Sequence, residues 1–123
     1  MNDPRIIRRG DIFRTIASDA RGAPTDAGAL AIDTSLVLIV QNDIGNEFGS
    51  TVIAAAISFQ PGRRSYPINV VIPDGLLGDV AEARLHQLLT LEKERLSKRM
   101  ARLPRETMAK VDEALRISLG LQS

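Results

Sequence analysis

The chain contains no cysteine. That excludes a disulfide framework, a thiolate metal site and a cysteine nucleophile. It suits a reducing compartment, so a cytoplasmic setting is expected. Tryptophan is absent and aromatic residues make up only 3% of the sequence, so the core must be aliphatic. The single histidine, His86, leaves one imidazole for proton transfer near neutral pH. No apolar run approaches the roughly 20 residues that a membrane-crossing helix needs. Arg5, Arg8 and Arg9 interrupt anything resembling a signal peptide, and no membrane association is expected. Neither sign of charge dominates, since 16 Lys and Arg against 15 Asp and Glu leave a net +1. The chain as a whole therefore carries no field that would draw in a polyanion.

What is present is enough for one domain covering residues 1–123, with 44% apolar residues to build a core without staples. The charge is unevenly placed. Residues 1–21 hold five Arg against three Asp, residues 93–123 hold eight Lys and Arg against four acids, and the stretch between is net acidic. A basic patch assembled from the two ends would be the surface to meet an anionic partner, if it is more than a pair of solvated faces.

The most apolar stretch is Ser35–Gln60. Leu36–Val40 and Thr51–Ile57 read as buried strands paired antiparallel. The polar segment between them carries Asn42, Asp43, Gly45, Asn46 and Gly49 and reads as the connecting loop. Before it, Ile12–Ile16 reads as a short strand, and residues 17–34, rich in Ala, Gly, Asp and Thr, as a long loop. After it, residues 61–67 form a Pro- and Gly-punctuated loop that exposes Arg63, Arg64 and Tyr66. Ile68–Ile72 is β-branched and strand-like, and Asp74–Gly75 marks a turn. Residues 80–103 are ambiguous. Propensity favours one long helix, although Val80, Glu82, Arg84 and His86 alternate with Ala81, Ala83 and Leu85 as in a strand. The last element is a helix opened by Pro104 and ended by Gly120, with Met108, Val111, Ala114, Leu115 and Leu119 on one face.

Four pieces in this order, RRGDIF, LIVQND with IGN, TVIAAAIS and PRETMAKVDEALRISLGL, resemble the MazF/PemK toxins of type II toxin–antitoxin systems. The resemblance spans roughly Ile7 to Leu121. It implies an α+β fold, mainly β: a strongly bent antiparallel sheet resembling an SH3-like barrel, with a C-terminal helix. It turns Val80–His86 into a strand, followed by a short helix near Glu92–Leu96 and another strand at RMARL. It also implies a homodimer, an antitoxin protein as partner, and sequence-specific cutting of single-stranded RNA without metal or cofactor.

Such cutting needs a base for the 2′-OH, a cation or donors for the phosphorane, and an acid for the leaving 5′-oxygen. The family resembles an arginine-centred solution, with an arginine at the mouth of the central strand and a Thr or Ser at the end of the next. Here the first position is Ser35 and a second family arginine falls on Leu89, while the hydroxyl survives as Ser58. Serine carries no charge and cannot take over the role. Ser58, His86, Arg63 and Arg64 are therefore the candidate catalytic residues. Asn42, Asp43, Asn46, Gln87, Thr90, Arg14 and Arg21 are candidate RNA contacts, although residues of the type of Asn42, Asp43 and Asn46 more often shape the loop. The expected function is an endoribonuclease toxin with an altered site. The alternative is a non-catalytic dimer of the same fold that binds an antitoxin, a nucleic acid or another toxin subunit.

Overall fold

The computed structural model describes residues 6–16, 36–59 and 68–121. Arg21, Ser35, Arg63, Arg64 and Tyr66 lie outside them, as do the expected loops at 17–34 and 61–67. The elements in chain order are β1 (Asp11–Thr15), β2 (Leu36–Ile39), α1 (Asp43–Phe48), β3 (Thr51–Ser58), β4 (Asn69–Val71), β5 (Glu82–Glu92), a 3₁₀ turn (Lys93–Arg95), β6 (Leu96–Arg102) and α2 (Arg105–Leu119). The strands form one antiparallel sheet in the order β4-β5-β3-β2-β1-β6. The ends of this order, β4 and β6, are not paired with each other, so the sheet is open rather than a closed barrel.

The expected hairpin of β2 and β3 is central. Val37, Leu38 and Ile39 face Ala56, Ala55 and Ala54. All four β2 residues are buried. Alanines opposite branched aliphatics let the two strands carry cores on both faces. One core, with Ile12, Leu36, Leu38, Ala55 and Ile57, is covered by α2 through Val111 and Ala114. The other, with Phe13, Val37, Ile39, Val52, Ala54 and Leu96, lies on the opposite face.

Three local readings change. The connecting segment is a six-residue helix, α1, rather than a loop. Asn42 makes it possible, since its side chain accepts from the Gly45 N–H at 2.7 Å and caps the first turn. Residues 82–102 are strand, turn and strand, as the resemblance implied, and not the one long helix that propensity favours. Pairing with β3 and β1 overrides helix propensity, which is worth only tenths of a kcal/mol per residue. On α2, Val111 and Ala114 are buried as expected, but Leu119 is 55% exposed and Thr107 takes a buried place instead. Gly120 ends the helix in the left-handed conformation, φ 70°, that favours glycine.

The RRGD segment locks the chain start onto the sheet. Gly10 holds φ 98° with Met108 packed over it, a position where a side chain would be strained. Asp11 is fully buried and satisfied by Arg102 Nε at 2.8 Å and the Arg8 N–H at 2.9 Å. Arg9 donates to the Val40 carbonyl at 2.8 Å and pairs with Asp112 on α2 at 2.7 Å, which ties the helix to the end of β2.

Leu38→Ala should cost about 2–5 kcal/mol in urea unfolding, the range for a truncated core leucine. Leu119→Ala should stay within about 0.5 kcal/mol, as for an exposed position. Equal losses at both sites would mean that α2 packs with the face read from its periodicity.

Candidate active site

The pairing of β3 with β5 decides what surrounds Ser58. Register runs from Thr51 opposite Glu92 through Ala55 opposite Leu88, then jumps so that Ala56 faces Arg84 and Ser58 faces Glu82. Leu85, His86 and Gln87 form a bulge between the two halves. The bulge is anchored by the Leu85 N–H to the Ile68 carbonyl at 3.1 Å and by the Ser118 hydroxyl, which donates to the Leu85 carbonyl at 2.8 Å. Because the jump is odd, it reverses the phase of alternation. Leu89 and Leu91 on one side of it, and Glu82 and Arg84 on the other, occupy the same face of the sheet.

That face has two halves. The half near α1 is apolar, with Val52, Ala54, Leu89 and Leu91 packed together. The half at the other end carries Ser58, Glu82, Arg84 and, across the next strand, Asn69, which faces Arg84. Ser58 is half-buried and opposite Glu82. Arg84 is one row away, with Cα atoms about 7–8 Å apart, well inside the reach of an arginine. Arg84 Nε lies 3.7 Å from Glu82 Oε1, and the Asn69 amide donates to the same oxygen at 3.4 Å. Glu82 is buried, while the Arg84 side chain is 26% exposed. A hydroxyl and a guanidinium on one face, with a carboxylate 3.7 Å from the guanidinium, is a donor set suited to a phosphodiester.

The remaining candidate residues are placed as follows. His86 and Gln87 are both exposed in the bulge, and His86 is two residues from Arg84. Thr90 is exposed and faces Ile53. Arg14 is exposed on β1 opposite Lys98, so a pair of cations sits on the basic edge expected from the charge distribution. Asn42, Asp43 and Asn46 belong to α1, at the Thr51 end of β3. Ser58 closes the other end, roughly 20–25 Å away along the strand. The structure thus brings Ser58 together with Glu82 and Arg84, and not with the α1 residues.

At α1 the polar side chains shape the chain. Asn46 is buried, donating to the Gln41 carbonyl at 2.9 Å and to Asp43 at 3.1 Å and accepting from the Gln41 amide. The Arg9 backbone N–H donates to Asp43 at 2.7 Å and, as the largest influence, holds its carboxyl below the usual range. Partial burial opposes this, while Asn46, Arg8 and Arg102 add to it. A cleft of about 410 Å³ lies between this helix, residues 6–8 and Lys93.

The profile of PemK-like, MazF-like toxins of type II toxin–antitoxin systems matches residues 8–119. This chain belongs to that family. The MazF/PemK-like sequence is 38% identical over 118 residues to Endoribonuclease EndoA of Bacillus subtilis (strain 168), covering 94% of this chain and 97% of that protein. Solved structures agree on the fold. An endoribonuclease from a mycobacterial species matches with TM-score 0.74 at 22% identity, covering 97% of this chain and 96% of that one. An endoribonuclease in complex with its cognate antitoxin, also mycobacterial, gives 0.72 at 25%, covering 95% and 98%. A MazE–MazF crystal form from Deinococcus radiodurans gives 0.70 at 15%, covering 96% and 100%.

Arg84 is not among the residues that the sequence singles out, yet the structure sets it beside Ser58. The alternation of Glu82, Arg84 and His86, together with the resemblance, already puts the arginine on a strand. What alternation could not supply was the bulge that turns Arg84 to the Ser58 face.

The depressed Asp43 carboxyl has a sign that can be checked. A group with a lowered native pKa adds stability above its unfolded value, about 3.9, and loses it as pH falls through the native value. In urea unfolding from about pH 6 to about pH 3, the advantage of the native chain over Asp43→Asn should shrink as acidity rises. An unchanged gap at the acid end would mean that the ionised carboxylate is not its source.

Proposed function

We propose that this chain is the toxin of a type II toxin–antitoxin pair and that it cuts single-stranded RNA at short sequences without a metal or cofactor. The observation that carries the reading is the row of Ser58, Glu82 and Arg84 on one sheet face, in a chain 38% identical to an endoribonuclease. A guanidinium at Arg84 supplies the positive charge that Ser35 and Leu89 lack. Its work is to neutralise the charge that builds on the phosphorane when the 2′-oxygen attacks phosphorus. The Ser58 hydroxyl adds a donor to the same oxygens. His86 is the imidazole that moves a proton, either from the 2′-OH or to the leaving 5′-oxygen. Arg63 and Arg64 follow Ser58 in sequence and add charge for the RNA strand. Asn42, Asp43, Asn46, Gln87, Thr90, Arg14 and Arg21 contribute strand contacts further from the scissile bond, with Asn42, Asp43 and Asn46 acting mainly through the shape of α1.

The partners of this reading are a second copy of the chain and an antitoxin protein. The antitoxin follows the mycobacterial relative solved with its cognate antitoxin and the MazE–MazF forms. The cytoplasm, where messenger RNA is translated, is the place of action.

A second reading has an observation of its own. Leu89 packs against the apolar half of the face, so one position that resembles a family arginine is committed to packing. On that reading the chain keeps fold and dimer and binds an antitoxin, a nucleic acid or another toxin subunit without cutting.

Incubating the purified chain with a long unstructured RNA separates the two. Cleavage is expected, with Arg84→Ala and Ser58→Ala each lowering the rate by about 10²–10³, the loss for one preorganised transition-state donor. His86→Ala should lower the rate as well, by about 10²–10⁴, the range for a lost general acid or base. No cleavage by the native chain, with RNA still bound, would favour the second reading.

A further inference from the structure

We propose that Ser118 is a positioning residue: from the last turn of α2 it holds the Leu85–His86 peptide and so fixes where the bulge of β5 presents His86. This rests on the endoribonuclease reading above and extends it to a residue outside the row of Ser58, Glu82 and Arg84. The contact is direct. The Ser118 hydroxyl donates to the Leu85 carbonyl at 2.8 Å, across 33 positions of chain. The Leu85 N–H is bonded too, to the Ile68 carbonyl at 3.1 Å. The Leu85 side chain is fully buried in the core under α2. Leu85 is thus held at its side chain, its N–H and its carbonyl, and His86 follows it as an exposed residue.

Two features separate this contact from ordinary helix packing. The first is the choice of side chain. Thr107, Val111 and Ala114 are the buried residues of α2, and Ser118 continues that row four residues on. It is half-buried, while its neighbours Ile117 and Leu119 are 50% and 55% exposed. Core packing alone calls for an apolar side chain in that row, and a helical serine often bonds the carbonyl four residues back. Here the hydroxyl leaves its own helix and meets the strand. The second feature is which carbonyl it takes. A peptide unit is planar, so fixing the Leu85 oxygen fixes the plane that carries the His86 nitrogen and Cα. A bulge takes backbone groups out of the ladder and re-aims a side chain. With its carbonyl tied to α2, this bulge is held to one orientation, and the only imidazole of the chain rides on it.

The test measures RNA cleavage by the native chain, Ser118→Ala, Ser118→Thr, His86→Ala and the double variant of Ser118→Ala with His86→Ala. It also follows the His86 ring and backbone amide by NMR, which a single histidine makes unambiguous. Ser118→Ala should lower kcat by up to about 100-fold, the scale of an ångström-level misplacement of a reacting group, with KM nearly unchanged. Ser118→Thr keeps the hydroxyl and should retain most of the rate. In the His86→Ala background, Ser118→Ala should have little further effect. The His86 signals should be single and sharp in the native chain and in Ser118→Thr, and broadened or doubled in Ser118→Ala. Native kcat in Ser118→Ala, losses that add to those of His86→Ala, or His86 signals that Ser118→Ala leaves unchanged would each overturn the proposal. A residue that only steadies the helix would lower urea stability and leave those readings alone. Should Ser118→Ala not fold, Ser118→Cys takes its place, since a thiol is a weak donor, and should move kcat and the His86 signals the same way. A native chain that cuts no RNA defeats the endoribonuclease reading, and the His86 signals alone then decide the role of Ser118.

Discussion

The pairing of β3 with β5 is the constraint on which the rest depends. It joins the central hairpin to the longest strand and carries the largest register shift among the described residues, the bulge at residues 85–87. In a strand, side chains alternate faces with period two, so inserting an odd number of residues turns everything beyond it over. Leu89 and Leu91 pack with Val52 and Ala54, and the same face, past the bulge, presents Glu82 and Arg84. A continuous ladder would have sent that pair to the face covered by α2, where a buried guanidinium and carboxylate would displace the packing of Ile57, Ala83 and Val70. The bulge is in turn stabilised from outside the ladder, by Ile68 and by Ser118 of the last helix.

The two ends of β3 do different work. At the Thr51 end, α1 is built from residues that spend their polar groups on one another. Asn42 caps, Asn46 bridges Gln41 and Asp43, and Asp43 receives the Arg9 backbone. At the Ser58 end, Glu82 lies 3.7 Å from Arg84 and accepts from Asn69 at 3.4 Å.

Much of the fold was legible in the chain. The apolar runs at Leu36–Val40 and Thr51–Ile57 announced the central hairpin, and Pro104 and Gly120 bracketed the last helix. Resemblance to the MazF/PemK toxins supplied the strand at Val80–His86, which propensity would have made helical and which the structure carries on to Glu92. Local patterns failed where tertiary partners decided. Asn42 looked like a loop former and is a helix cap, two uses of the same side-chain oxygen. Leu119 lay on the apolar stripe of α2, but the helix outruns the sheet it covers and the residue is exposed.

The site divides along the same line. The sequence by itself determined that position 35 holds a serine and position 89 a leucine, that one hydroxyl remains at Ser58, and that the core must be aliphatic. Only the tertiary structure decided that Arg84 and Glu82 stand beside Ser58. Alternation along β5 has two possible phases against β3, and the choice between them is made by a three-residue bulge held in place by groups 17 and 33 positions away in the chain.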